Sequence, residues 1–189
     1  MEFFELVKKR QAVREYKSDQ VSREDIMKIL DAANHAPSGQ NQQQWEFIVA
    51  TGKTKDKLGE SYGKIGEGYA AQWEEPAKSD FIKYARTYGG APVVIAVTVT
   101  ASPHPLVRRM HLESGCAAMQ NIMLAARDLG MGTCWMTGPL NDEAGIREIL
   151  KVGEDREIVA VTPLGYPVSW PPKRERLDPD LTRIVHWLD

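Results

Sequence analysis

Arg10 and Arg14 stand four residues apart in Arg10-Gln11-Ala12-Val13-Arg14, where a short N-terminal helix is expected to end. That spacing lets two guanidiniums project toward one point. Arg174 and Arg176 alternate in the C-terminal tail, which places both on one side of an extended segment. Each pair taken alone reads equally as solvated charge, the first as the basic end of a helix dipole. Taken together, four guanidinium forks suit a phosphate dianion, because each offers two parallel donors in fixed geometry. Between them lies an amide-rich loop, Ser38-Gly39-Gln40-Asn41-Gln42-Gln43-Gln44. Amide side chains both donate and accept, as the edge of a pyrimidine-like ring requires, although the loop by itself is also an ordinary polar turn.

Other chemistries are missing from the sequence. There is no Gly-x-x-x-x-Gly-Lys-Ser/Thr, His-Glu-x-x-His or Gly-x-Ser-x-Gly. Gly130-Met131-Gly132 opens like a dinucleotide fingerprint, but Trp135 stands at the third glycine and the order is helix then strand, the reverse of the required one. His35, His104, His111 and His186 share no ligand spacing, so no metal site is expected. Cys116 and Cys134 lie in apolar stretches without a Cys-x-x-Cys spacing and are expected as buried reduced thiols.

The 189 residues carry 42% apolar and 26% charged side chains and a net charge of -2. Such a chain can bury one sizeable core, and it lacks the general basic field that drives nonspecific nucleic-acid binding. No apolar run approaches the ~20 residues that cross a bilayer, and the acidic start does not resemble a secretory signal, so a cytoplasmic protein is expected. The elements that must position the chemistry follow from periodicity. Helices are expected over 2–9, from the Ser22/Asp25 capping pair to about His35, over His111–Leu129, and from an Asn141 cap to Leu150. Strands are expected at Trp45–Ala50, Pro92–Thr100, Thr133–Met136 and Glu157–Leu164. The charged segment Thr51–Tyr88 reads as surface helices and a mobile lid. The helix after His111 is so apolar that it needs cover from the sheet and from a second subunit. This gives one α+β domain over residues 1–189, with an extension from about 167.

Ala36-Pro37-Ser38-Gly39-Gln40-Asn41-Gln42-Gln43-Gln44-Trp45-Glu46-Phe47 resembles the Pro-Ser-x-x-Asn-x-Gln-Pro-Trp-x-Phe signature of the FMN-dependent nitroreductase family. Arg10 to Arg14 is similar to that family's opening Arg-x-Ser-x-Arg. Ala118–Ala126 with Leu129–Trp135 resembles its central helix and turn, and Gly165-Tyr166-Pro167 with Arg174-Glu175-Arg176-Leu177 resembles its closing elements. The resemblance implies a central mixed β-sheet flanked by helices, in an intertwined homodimer with FMN at the interface. It implies that Arg10, Gln11, Ala12 and Arg14 meet the phosphate or flavin edge, with Arg174 and Arg176 closing on the phosphate. Pro37, Ser38, Gly39 and Asn41 would reach the flavin from the second subunit, and Met136, Thr137 and Gly138 would lie along its ring. Ala12 departs from the family's serine and Gln44 from its proline; the first removes a neutral hydrogen bond of about 0.5–1.5 kcal/mol, which the arginines outweigh.

The activity so implied is ping-pong reduction of nitroaromatics, quinones or similar acceptors by NADH or NADPH, with no catalytic side chain because the flavin carries the chemistry. Narrower reactions on the same scaffold, reductive dehalogenation or flavin breakdown, remain open. So do a flavin-binding redox module with little turnover and a cofactor-free structural dimer.

Overall fold

In the computed structural model, which describes residues 1–188, four strands form one sheet in the order β1-β2-β4-β3: β1 (Trp45–Thr51), β2 (Val93–Thr100), β4 (Arg156–Gly165) and β3 (Gly132–Thr133). Adjacent strands are antiparallel throughout, and the parallel component is the bridge from Ala12 to Thr133, where the N-terminal segment joins the β3 edge. β2 is central and buried at seven of its eight positions, as its β-branched-rich sequence, interrupted only by Ala96, leads one to expect of a strand covered on both faces.

Helices cover the two faces. Helix α5 (Pro105–Asp128) packs Ala118, Met119, Ile122 and Ala126 against Ile95, Val97, Val99 and Ala160 of the sheet, and α2 (Arg23–Asn34) lies against it with Ile26, Ile29 and Ala33. Ser22 caps α2 by accepting the Asp25 N–H at 3.0 Å. On the other face, α3 (Gly52–Tyr69), α4 (Ala77–Thr87) and α6 (Glu143–Leu150) bury Leu58, Tyr62, Ala85 and Ile146 against Val94, Ala96 and Val161. The short α1 (Phe3–Lys9) has no buried residue.

The surface helices expected over residues 51–88 are present as α3 and α4, which touch so closely that a side chain at Gly59 would stand 1.9 Å from the Arg86 carbonyl oxygen. Several expectations are corrected. Helix α5 starts at Pro105, six residues before His111, because proline suits the first helical turn. The strand expected over Thr133–Met136 stops at Thr133. Cys134 gives its N–H to the Thr162 hydroxyl at 3.1 Å rather than to a backbone carbonyl, and pairing resumes only at the Met136–Val161 bridge. Asp142, not Asn141, caps α6; its carboxylate accepts the Gly145 N–H at 3.2 Å and the Ser61 hydroxyl at 2.6 Å. Cys134 is buried as expected, but Cys116 is exposed, on the same outward face of α5 as Glu113 and Gln120. The last residue of the expected extension, Asp189, lies outside the described residues.

Candidate active site

The opposite ends of the chain are brought together by the extended segment after α1. Val13 donates to the Thr133 carbonyl at 2.9 Å, Tyr16 to Gly89 at 2.9 Å and Lys17 to Tyr166 at 2.8 Å, while Glu15 accepts the Val168 N–H at 3.1 Å. Residues 12–17 are thereby stitched to the β3 edge on one side and to the start of the tail on the other. Gly89 is needed here: its φ is +68°, and a Cβ would stand 2.0 Å from the Arg14 carbonyl oxygen.

A groove of about 810 Å³ opens beside this stitching. Its walls are Val7, Lys8, Arg10, Gln11, Ala12 and Arg14 from the N-terminal side, and Pro171, Pro172, Lys173, Arg174, Glu175, Arg176 and Pro179 from the tail. Six cations thus face one carboxylate. Six of the twelve arginines in the chain, Arg86, Arg108, Arg109, Arg147, Arg156 and Arg183, are held by glutamates or aspartates. Among the described residues the side chains of Arg10, Arg14, Arg174 and Arg176 have neither an ion-pair partner nor a hydrogen bond. Four free guanidiniums around one cavity repel one another, and an anion bound among them reverses that cost. The sequence-expected set Arg10, Gln11, Ala12, Arg14, Arg174 and Arg176 is therefore assembled within a single chain. Lys8 and Lys173, which sequence reasoning passed over, line the same groove; their only signal was adjacency to the arginine pairs.

Arg14 also faces a buried cluster of Tyr16, Tyr62, Tyr84, Cys134 and Met136. Tyr84 donates its hydroxyl to the Met136 sulfur at 3.5 Å, and Gly138 lies against the Tyr62 ring. Met136 belongs to this cluster and Thr137 and Gly138 follow it in the chain; none of the three lines the groove. Burial pushes the Cys134 thiol and the Tyr16, Tyr62 and Tyr84 hydroxyls above their ordinary values, and the Arg14 charge pulls each of them partly back. Burial raises Tyr88 as well, and its hydroxyl has no hydrogen-bond partner among the described residues. Four of the six tyrosines thus hold their protons in the folded chain beyond the ordinary value of 10.0. The unfolded chain releases those protons first, so stability should fall as pH rises past about 10 toward the folded-state values. Titration at 295 nm should show fewer ionised tyrosines in native protein than in urea at pH 11; equal ionisation with the fold intact would contradict this.

The amide loop lies elsewhere. Gly39 donates its N–H to Ser114 Oγ at 3.3 Å, so the loop rests on the N-terminal half of α5. Gln40, Asn41 and Gln43 all have positive φ, of 54°, 54° and 49°, an unusual concentration for residues other than glycine. The turn is held by Ser38, whose hydroxyl accepts the Gln43 N–H at 3.0 Å, and by Gln43 donating to Asn41 Oδ1 at 2.9 Å. Trp45 anchors the strand that follows by donating its indole N–H to Asn34 at 3.1 Å. Pro37, Ser38, Gly39 and Asn41 do not line the groove. His111 is an ordinary buried polar residue, with Nδ1 2.7 Å from the Thr100 carbonyl oxygen. Among the described residues no group of three or more His, Cys, Asp or Glu can hold a metal ion, and no helix is long and apolar enough to cross a membrane.

The Nitroreductase family model matches residues 7–166, from the end of α1 to the last strand. The chain belongs to this family. It is 34% identical to a protein of Methanothermobacter thermautotrophicus provisionally named NADH dehydrogenase/NAD(P)H nitroreductase, over 99% of this chain and 88% of that protein. It is 31% identical to the 4-nitrobenzoate reductase of Nocardioides sp. strain LMS-CY, over 87% of this chain and 80% of the relative. Among solved structures, the FMN and NADPH-dependent nitroreductase NfnB from Sphigopyxis sp. strain HMH superposes with a TM-score of 0.81 at 19% identity, covering both chains completely. That likeness confirms the nitroreductase-like α+β fold expected of the sequence.

Proposed function

We propose that this nitroreductase-family protein is an NAD(P)H-dependent FMN oxidoreductase that acts as a cytoplasmic homodimer and reduces nitroaromatics, quinones and similar electron-poor acceptors. The observation that carries the reading is the set of four unpaired guanidiniums around one groove. A flavin mononucleotide ends in a phosphate dianion, the group such forks hold best. Arg10, Arg14, Arg174 and Arg176 would hold the phosphate, and Gln11 the adjoining polar edge. Ala12 contributes no hydroxyl, so binding rests on charge. Bound there, FMN would supply the redox chemistry that links oxidation of the nicotinamide to reduction of the acceptor. The part left to the chain is to position the coenzyme. Cys134, Tyr62 and Tyr84 stay protonated and neutral at physiological pH, so none of them supplies a base.

Two features favour the homodimer. Ser114, under the amide loop, and Arg127, near the tail, are separated by thirteen residues of one helix, roughly 20 Å along its axis. Within one chain the loop and the groove are too far apart to grip the same end of a ligand, so a second copy would bring Pro37, Ser38, Gly39 and Asn41 to the flavin. In addition, Phe3 and Phe4 are 61% and 77% exposed, and Leu177, Trp187 and Leu188 are 94%, 85% and 95% exposed, an apolar surface typical of an interface.

The 4-nitrobenzoate reductase relative supports the acceptor class, and the two nicotinamide-linked names above support the reductant. The experiment is anaerobic stopped-flow on protein loaded with FMN. NADH or NADPH should bleach the flavin absorbance, and nitrofurazone or menadione should restore it. If neither nicotinamide bleaches the flavin, the oxidoreductase reading is wrong. Bleaching with negligible turnover on nitrofurazone, menadione or 3-iodotyrosine would leave a redox module instead.

A further inference from the structure

The guanidinium of Arg127, at the C-terminal end of α5, lies 3.3 Å from the centroid of the Trp170 ring. This arginine has no carboxylate partner among the described residues, and its Nε is buried without a hydrogen bond. The contact shown for its guanidinium is the indole face, and a cation binds such a face the more strongly the less it is solvated.

The place of Trp170 in the chain gives that contact its consequence. Val168 is the last tail residue tied to the body by a backbone hydrogen bond, to Glu15. Among the described residues, 169–176 make no hydrogen bond and no ion pair. This is the segment that carries Arg174 and Arg176 into the groove. Pro171 and Pro172 follow Trp170 directly, and two consecutive prolines restrict the backbone enough to transmit the position of the indole along the next few residues. Helix α5 is a rigid base for the contact, because it is packed between the sheet and α2.

We propose that the Arg127–Trp170 stack is the anchor that holds Arg174 and Arg176 over the groove, which makes Arg127 a positioning residue for the phosphate end of the ligand although it does not line the cavity. The proposal rests on the FMN reading above for the identity of that ligand. An unanchored tail would have to be ordered at each binding event, and that entropy is subtracted from affinity. Because the cations that the tail brings to the groove are Lys173, Arg174 and Arg176, the anchor's effect falls chiefly on the phosphate.

The test compares FMN with riboflavin, which has the same ring and no phosphate, by fluorescence titration of wild type, R127A, W170A and W170F. Both alanine variants should lose FMN affinity by about 3- to 30-fold, the range of a cation–π contact. They should bind riboflavin within twofold of wild type, and W170F, which keeps an aromatic face, should stay close to wild type for both ligands. Trypsin gives a readout that needs no flavin: cleavage after Lys173, Arg174 or Arg176 should be several-fold faster in R127A and W170A than in wild type. FMN affinity unchanged in both alanine variants, equal losses for FMN and riboflavin, or an unchanged cleavage rate would each overturn the anchor. If wild type itself bound FMN no better than riboflavin, the phosphate-site reading would fall, and the cleavage rates would still decide whether the anchor exists.

Discussion

FMN affinity should fall by at least about 100-fold in the double variant R10A/R176A, with the fold intact. A charged hydrogen bond to phosphate is worth about 1.5–3 kcal/mol, and the two arginines reach the groove from opposite ends of the chain. Both act on one anion, so a coupling of either sign is added to the sum of the two losses; that sum, with the lower figure for each, is about 3 kcal/mol, a little over 100-fold. Among the described residues neither side chain has a partner to leave behind, so no buried carboxylate there is orphaned and stability should hardly change. Arg23 supplies the control. Among the described residues it is also free of a carboxylate partner, but it lies at the start of α2 and not on the groove. R23A removes the same unit of charge and should leave affinity unaltered. Flavin fluorescence titration checks both variants. Affinity within threefold of wild type in R10A/R176A would return the arginines to solvated surface.

Gly132→Ala should unseat the N-terminal wall of the groove. A Cβ at this position would stand 2.6 Å from both Cβ and Cγ2 of Val13, far inside contact distance. Val13 is 1% exposed and its N–H is bonded to Thr133, so it cannot move aside without breaking the stitch between residues 12–17 and β3. Alanine in place of glycine lowers the entropy of the unfolded chain, a gain of about 0.4–1 kcal/mol. Overpacking a filled core costs about 1–3 kcal/mol and prevails. The expected result is a lower midpoint in urea with an unchanged slope, together with weakened FMN binding, since Arg10 and Arg14 flank the displaced Val13. A variant as stable as wild type would show that Val13 has room that the packing denies.

Much of the fold was legible in the residues because its signals are local. The Ser22 cap, the β-branched run of β2 and the apolar periodicity of α5 each report on a few neighbouring positions. Legibility failed where a long-range partner decides. Asn141 and Asp142 are equally good capping types, and Asp142 takes the role because Ser61 of α3 meets its carboxylate. Cys116 reads as buried from its apolar neighbours, yet among the described residues no other element covers the face of α5 that carries it. The strand after Gly132 is cut short by the Thr162 hydroxyl, thirty residues further along.

The candidate site divides the same way. By itself the sequence determined that this is a nitroreductase-like chain with two arginine pairs and an amide loop, because those motifs consist of residue types at fixed short spacings. Only the tertiary structure decided which cations stay unpaired. Arg86, Arg108, Arg147 and Arg156 have the same chemistry as Arg10 and Arg176, and the difference lies in whether folding brings a carboxylate within reach. The same holds for Trp170, whose role depends on an arginine 43 positions earlier. Ion pairs and stacks are set by separation in space, and spatial neighbours far apart in the chain are fixed by the packing of the whole sheet and its helices rather than by any local run of residues.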